Sequence, residues 1–168
     1  MLEKTLNYFR EISKIPRCSY NESWILSYFE NWAKEKKYNY KVDSAWNIFI
    51  YVPWTPLREN EKTVILQWHM DMVCVKTDES NHDFKKDEIK VIENDWYLQA
   101  DWTTLWSDDG IWLAIAMASC EFISHPPLEL LFTNSEEVWL IWASNLQADL
   151  LKWDFLISLD SEDEWEIY

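Results

Sequence analysis

The sequence predicts an α/β fold: a mixed, mainly parallel sheet flanked by helices, and incomplete as a domain. Two observations predict the class. Apolar residues recur first at helical spacing and then in short extended runs, and from there strands and helices alternate along the chain. A third observation predicts the site, because three of the apolar runs each end in a histidine or an acid. At 168 residues the chain can bury one sizeable core, so one domain or part of one is expected.

Leu2, Leu6, Phe9, Ile12 and Ile15 mark a first helix that Pro16 closes. A second runs from about 22 to 37, with Ile25, Leu26, Phe29 and Ala33 on its inner face. The period then turns extended. Residues 38–42 and 47–52 read as strands joined near Trp46, and 63–67 as a buried strand. Residues 76–88 are a charged excursion, and 89–93 with 97–100 a hairpin. Residues 111–122 read as an apolar helix, 128–133 and 155–159 as buried strands, and 144–151 as a helix between them.

Fifteen basic against 30 acidic residues give a net charge of −15. That field repels phosphate backbones and anionic surfaces, so neither a nucleic acid nor a membrane is an expected partner, whereas cations are. Cys18, Cys74 and Cys120 are odd in number and lack metal-ligand spacing, which predicts reduced thiols in a cytoplasm. The longest apolar stretch, 111–118, falls well short of the roughly 20 residues of a membrane span. The N-terminus lacks the layout of an export signal, so a cytoplasmic protein is expected.

The chain has 13 tryptophans and one glycine, where a soluble chain of this length averages roughly 12 glycines. Many of the tryptophans stand where the backbone calls for glycine. Asn94-Asp95-Trp96 sits like a hairpin turn and Lys152-Trp153-Asp154 like a left-handed cap, while Trp54, Trp102 and Trp106 lie in loops. Bulky side chains are disfavoured at positive φ. The expectation is a gene that reads UGA as glycine, translated with a table giving tryptophan. Trp32, inside a helical stretch, reads as a native tryptophan.

The chemistry gathers at the strand ends. The run 64–66 leads to His69-Met70-Asp71, 130–132 to Glu136-Glu137, and 155–157 to Asp160; Ser107-Asp108-Asp109-Gly110 opens the helix at Ile111. In open α/β sheets ligands bind beyond the carboxyl ends of the strands, so these tips are expected to share one crevice. One histidine among carboxylates suits one or two divalent metals, zinc especially. Singly, each piece reads as a surface pair or a helix start; the shared placement makes the site.

The segments 66–72, 101–110, 133–137 and 160–167 resemble the motifs of cytosolic aminoacyl-histidine dipeptidases of the di-zinc peptidase and aminoacylase superfamily, once glycine is read for tryptophan. The resemblance implies that His69 and Asp160 ligate one metal, Glu137 the other, and Asp108 bridges them, with Zn2+ expected ahead of Co2+ or Mn2+. It implies that Asp71 orients His69 by accepting its second ring proton, and that Glu136 is the general base for the attacking water. Asp109 and residues 162–164 receive no role beyond local electrostatics. The family takes its remaining metal ligand, a histidine, from far downstream and inserts a lid and dimerisation domain. His82 and His125 match no ligand position and are expected on the surface or in loops. The chain is thus expected to be the N-terminal part of a catalytic domain whose full-length protein is a homodimer, and to be inactive alone. Xaa-His or other dipeptides are the implied substrates. Two alternatives stay open: an N-acyl amino acid hydrolase or other exopeptidase of the superfamily, and a non-catalytic acidic module taking calcium on residues 160–166.

Overall fold

In the computed structural model, the described residues are 1–95, 97–105, 107–121, 124–152, 154–158 and 160. Helix α1, Leu2–Ser13, and helix α2, Ser23–Lys36, form where the spacing places them, and α2 ends on Lys37 at φ 60°. Strands β1, Asn39–Val42, β2, Ile48–Val52, and β3, Val64–His69, follow. After the hairpin of β4, Val91–Asn94, and β5, Tyr97–Ala100, come α3, Ser107–Ser119, and β6, Leu128–Thr133. A short helix α4, Ile141–Ser144, a 3-10 turn at Ala148–Leu150 and strand β7, Phe155–Ser158, complete the order.

The expected helix over 144–151 is corrected. Asn145 leaves helical geometry at φ −122°, and the segment breaks into two short pieces. Leu146, Leu150 and Leu151 still pack on the sheet, and their spacing is what imitated a helix. The tip of the hairpin, Trp96, lies outside the described residues, as do the end of the apolar helix at Phe122, the end of the last strand at Leu159, Trp106, Trp153, and residues 161–168 with the acids of the calcium alternative.

The main sheet has the order β1-β2-β6-β3-β7, with β1, β2 and β6 antiparallel in turn and β3 parallel to both β6 and β7. Alternation along the strands sorts side chains between two faces. Ile48, Ile50 and Val52 with Leu128, Leu130 and Phe132 meet α1, α2 and α3 in the main core, where the Phe29 and Phe132 rings lie 4.5 Å apart. Phe49, Ile65 and Leu131 face the other way, under Leu146, Leu150 and Leu151. Leu130 is fully buried, so its truncation to alanine should cost about 2–5 kcal/mol. Edge strand β7 is different: Phe155, Leu156 and Ile157 are 54%, 51% and 41% exposed, so both of its faces are partly open.

Candidate metal centre

The three parallel strands β6, β3 and β7 end at the same edge of the sheet, because parallel register puts their carboxyl ends side by side. His69 is the last residue of β3, opposite Thr133 of β6. Asp160 follows β7, Glu136 and Glu137 follow β6, and Asp108 and Asp109 open α3. Donor atoms of His69, Asp108, Asp109 and Asp160 all lie within 4.8 Å of one another, and so do those of His69, Glu136 and Glu137. Donor groups from the strand ends and the start of α3 thus come together, and His69 belongs to both groups.

Around the buried imidazole, Nε2 stands 3.4 Å from Asp108 Oδ1, 3.6 Å from Asp109 Oδ2 and 4.0 Å from Glu137 Oε1. Nδ1 faces the backbone carbonyl of Asp71 at 3.1 Å and its carboxylate Oδ1 at 3.4 Å. A ligating histidine is commonly held this way, by a hydrogen bond from its other nitrogen. Asp71 thus contacts the ring, with its main-chain oxygen nearer than its carboxylate.

Asp71 also ties the strands together. Its Oδ1 accepts the backbone N–H of Glu136 at 2.9 Å, and its Oδ2 accepts that of Glu137 at 3.2 Å and the Ser19 hydroxyl at 2.7 Å. Ser135, at φ 54°, is anchored by its N–H and hydroxyl on buried Glu22, at 2.9 and 2.7 Å. The two acids after β6 are therefore placed by their main chain, leaving both carboxylates to face the crevice groups.

Asp109, for which the sequence suggested only local electrostatics, is fully buried and its Oδ2 accepts the His69 N–H at 2.9 Å. Its Oδ1 is buried with no hydrogen-bond partner among the described residues. An orphaned carboxylate oxygen beside an imidazole and further carboxylates fits a divalent cation, since hard oxygen and imidazole nitrogen donors are what zinc and its neighbours take. The peptide bond between Asp108 and Asp109 is cis.

The electrostatics separate neighbouring acids. Burial pushes Asp109 up to about 8, whereas bonding to His69 holds Asp108 below the usual carboxylate range. Burial, helped by Asp160 and Glu137, raises Glu136 to about 7, where a carboxylate can both take and return a proton near neutrality. For His69 burial opposes the charge, but bonding to Asp108 and Asp71 and the charge of Asp109 prevail and raise it to about 11.

The cysteine expectation is corrected in part. Cys18 and Cys74 form a disulfide with Cα atoms 5.7 Å apart, inside the usual range, because the segment after α1 runs beside the segment after β3 and pairs Cys18 with Met72. Cys120 is free and buried. His82 lies against the Phe84 ring in the charged excursion. His125 lies in the irregular segment before β6, as a loop histidine would, yet it is buried, with Nδ1 2.8 Å from the Pro126 carbonyl. No metal group among the described residues includes either histidine. Arg17, Ser19 and Glu22, which support the site, had no sequence signal beyond being polar residues next to apolar ones.

No family model matches the chain. The cytosol non-specific dipeptidase of Escherichia coli strain K12 is 44% identical over 163 residues, which are 95% of this chain and 33% of that protein. The chain is a homologue of that dipeptidase. It spans about a third of the relative's length. The crystal structure of aminoacylhistidine dipeptidase from Vibrio alginolyticus superposes with a TM-score of 0.91 at 37% identity, covering 96% of this chain and 33% of that one. A tripeptidase from Staphylococcus aureus shares the fold at a TM-score of 0.80 and 24% identity, covering 96% of this chain and 44% of that one. The mixed sheet with flanking helices is thus a fold these peptidases share. No helix of the described residues is long and apolar enough to cross a membrane.

Proposed function

We propose that the chain is the N-terminal part of the catalytic domain of a cytoplasmic, zinc-dependent dipeptidase. The observation that carries this is the convergence of His69, Asp108 and Asp160 at one sheet edge in a homologue of the Escherichia coli dipeptidase. His69 and Asp160 would hold one metal, Glu137 the second, and Asp108 would bridge them. Asp109 could add an oxygen to the first. Bound there, the ions would acidify a water and polarise the scissile carbonyl. Glu136 would accept that water's proton and return it to the leaving amine, which its raised pKa suits. Asp71 would keep the ring of His69 and the acids after β6 in register.

The remaining ligand of the second metal, the lid and the homodimer contacts would come from chain beyond residue 168. Apolar edge strand β7, half exposed among the described residues, supports this reading, since such an edge is a surface on which further structure can pack. The test is hydrolysis by the full-length gene product: Xaa-His dipeptides should be cleaved well ahead of N-acetyl amino acids. Preference for the N-acetyl substrates would move the protein to the acylase branch.

We infer also that most tryptophans stand for glycine. Trp46, Trp102 and Trp139 take φ of 69°, 63° and 68°, the left-handed region. The indole N–H groups of Trp68 and Trp142 are buried with no hydrogen-bond partner among the described residues. Trp32 differs: it is buried in α2, packs edge-on against Tyr8 and Tyr38, and donates to the Tyr8 hydroxyl at 3.3 Å.

A further inference from the structure

Arg17 is 2% exposed, in the segment between α1 and α2. Burying a guanidinium is costly unless it is bonded and countered. Two of its side-chain bonds go to the corner that follows β3. Nη1 donates to the carbonyl of Met70 at 3.1 Å and to that of Asp71 at 2.8 Å, and the Arg17 carbonyl accepts the Met72 N–H at 3.0 Å. The Asp71 carbonyl is the same oxygen that faces His69 Nδ1 at 3.1 Å. A carbonyl oxygen has two lone pairs and can take both donors.

We propose that Arg17 is a positioning residue for His69: by fixing the Met70 and Asp71 peptide groups, it aims the carbonyl that holds Nδ1 and so turns Nε2 toward Asp108 and Asp109. The inference deepens the metal reading of His69 and rests on it. Two features favour positioning over mere charge balance. The guanidinium bonds main-chain oxygens of the corner, including the one that faces His69, which a counter-ion alone would not require. The start of α3 is also shaped around it, since a Cβ on Gly110 would come within 2.7 Å of Arg17 Nη2 and 3.3 Å of Phe9. Burial lowers Arg17 to about 10, with Asp71 and Asp109 opposing the fall, so the cation is kept at neutral pH. As a pure counter-ion to the acids, Arg17 would weaken cation binding, and its removal would tighten it. As a positioning residue its removal loosens the ligand.

The test uses the full-length gene product, metal-free and titrated with Zn2+, as parent, Arg17→Met and Arg17→Lys. Zinc affinity should fall about 10–100-fold in Arg17→Met, the usual cost of losing a partner behind a ligand, and by less in Arg17→Lys, which can reach one carbonyl. The His69 Nδ1–H proton, exchange-protected in the metal-free parent, should exchange faster in both variants. Unchanged or tighter zinc binding with an unchanged Nδ1–H signal in a folded variant would overturn the proposal. If Arg17→Met does not fold, the same two readouts on Arg17→Lys decide. A parent that binds no zinc would sink the metal reading, while the Nδ1–H signal would still decide whether Arg17 positions His69.

Discussion

Glu136 and Glu137 hang from the two oxygens of one carboxylate, Asp71, yet the account gives them separate tasks. Glu137 lies 4.0 Å from His69 Nε2, within reach of a shared ion, whereas Glu136 has the raised pKa of a proton carrier. In the full-length protein, Glu136→Gln should keep its metal and lose turnover by at least ~10²-fold, the scale of a general base. Glu137→Gln should lose metal as well. Equal metal content in both variants, by elemental analysis, would overturn the assignment. The residues proposed as ligands were legible in sequence because His69, Glu137 and Asp160 stand just past an apolar run and Asp108 just before one. Arg17, Ser19 and Glu22 were not, because their partners are 52 to 113 residues away and only the folded chain brings them together.

Among the elements, helices and strands were legible wherever a period was sustained, as in α1, α2 and β6. They were not where leucines of a loop copied a helical stripe, as before β7. One tertiary tie was also hidden: Glu121, just past α3, joins Lys36 of α2 at 2.8 Å and also bonds Lys4 and Tyr8 of α1. Burial works against its charge, but bonding to Lys36, Lys4 and Tyr8 prevails and holds Glu121 down at about 2. A depressed carboxylate stabilises the fold above its unfolded value of about 4.3 and loses that contribution as pH falls through the folded one. Thermal stability should therefore drop between about pH 4.5 and 2, and Glu121→Gln should flatten that part of the profile. A Glu121→Gln profile parallel to the parent's across this range would show that the tie contributes nothing.

At the scale of the whole molecule, the chain's anomaly is its glycine count of one. If UGA is glycine here, the gene carries UGA at twelve tryptophan positions and UGG at Trp32; UGG at Trp102, Trp106 and Trp139 would end the idea. A side chain forced into the left-handed region costs roughly 1–2 kcal/mol, against a total stability of about 5–15 kcal/mol, so the literal chain should fold poorly beside its glycine version. The metal centre proposed on His69 can be tested in this chain alone. Its most direct measurement is zinc bound per chain, by elemental analysis after dialysis, for the glycine-restored 168-residue chain and its His69→Ala variant. With His69, Asp108 and Asp160 as ligands, the restored chain should hold a zinc ion at up to one equivalent and the variant essentially none. Equal zinc in the two, or none in either, would contradict the account.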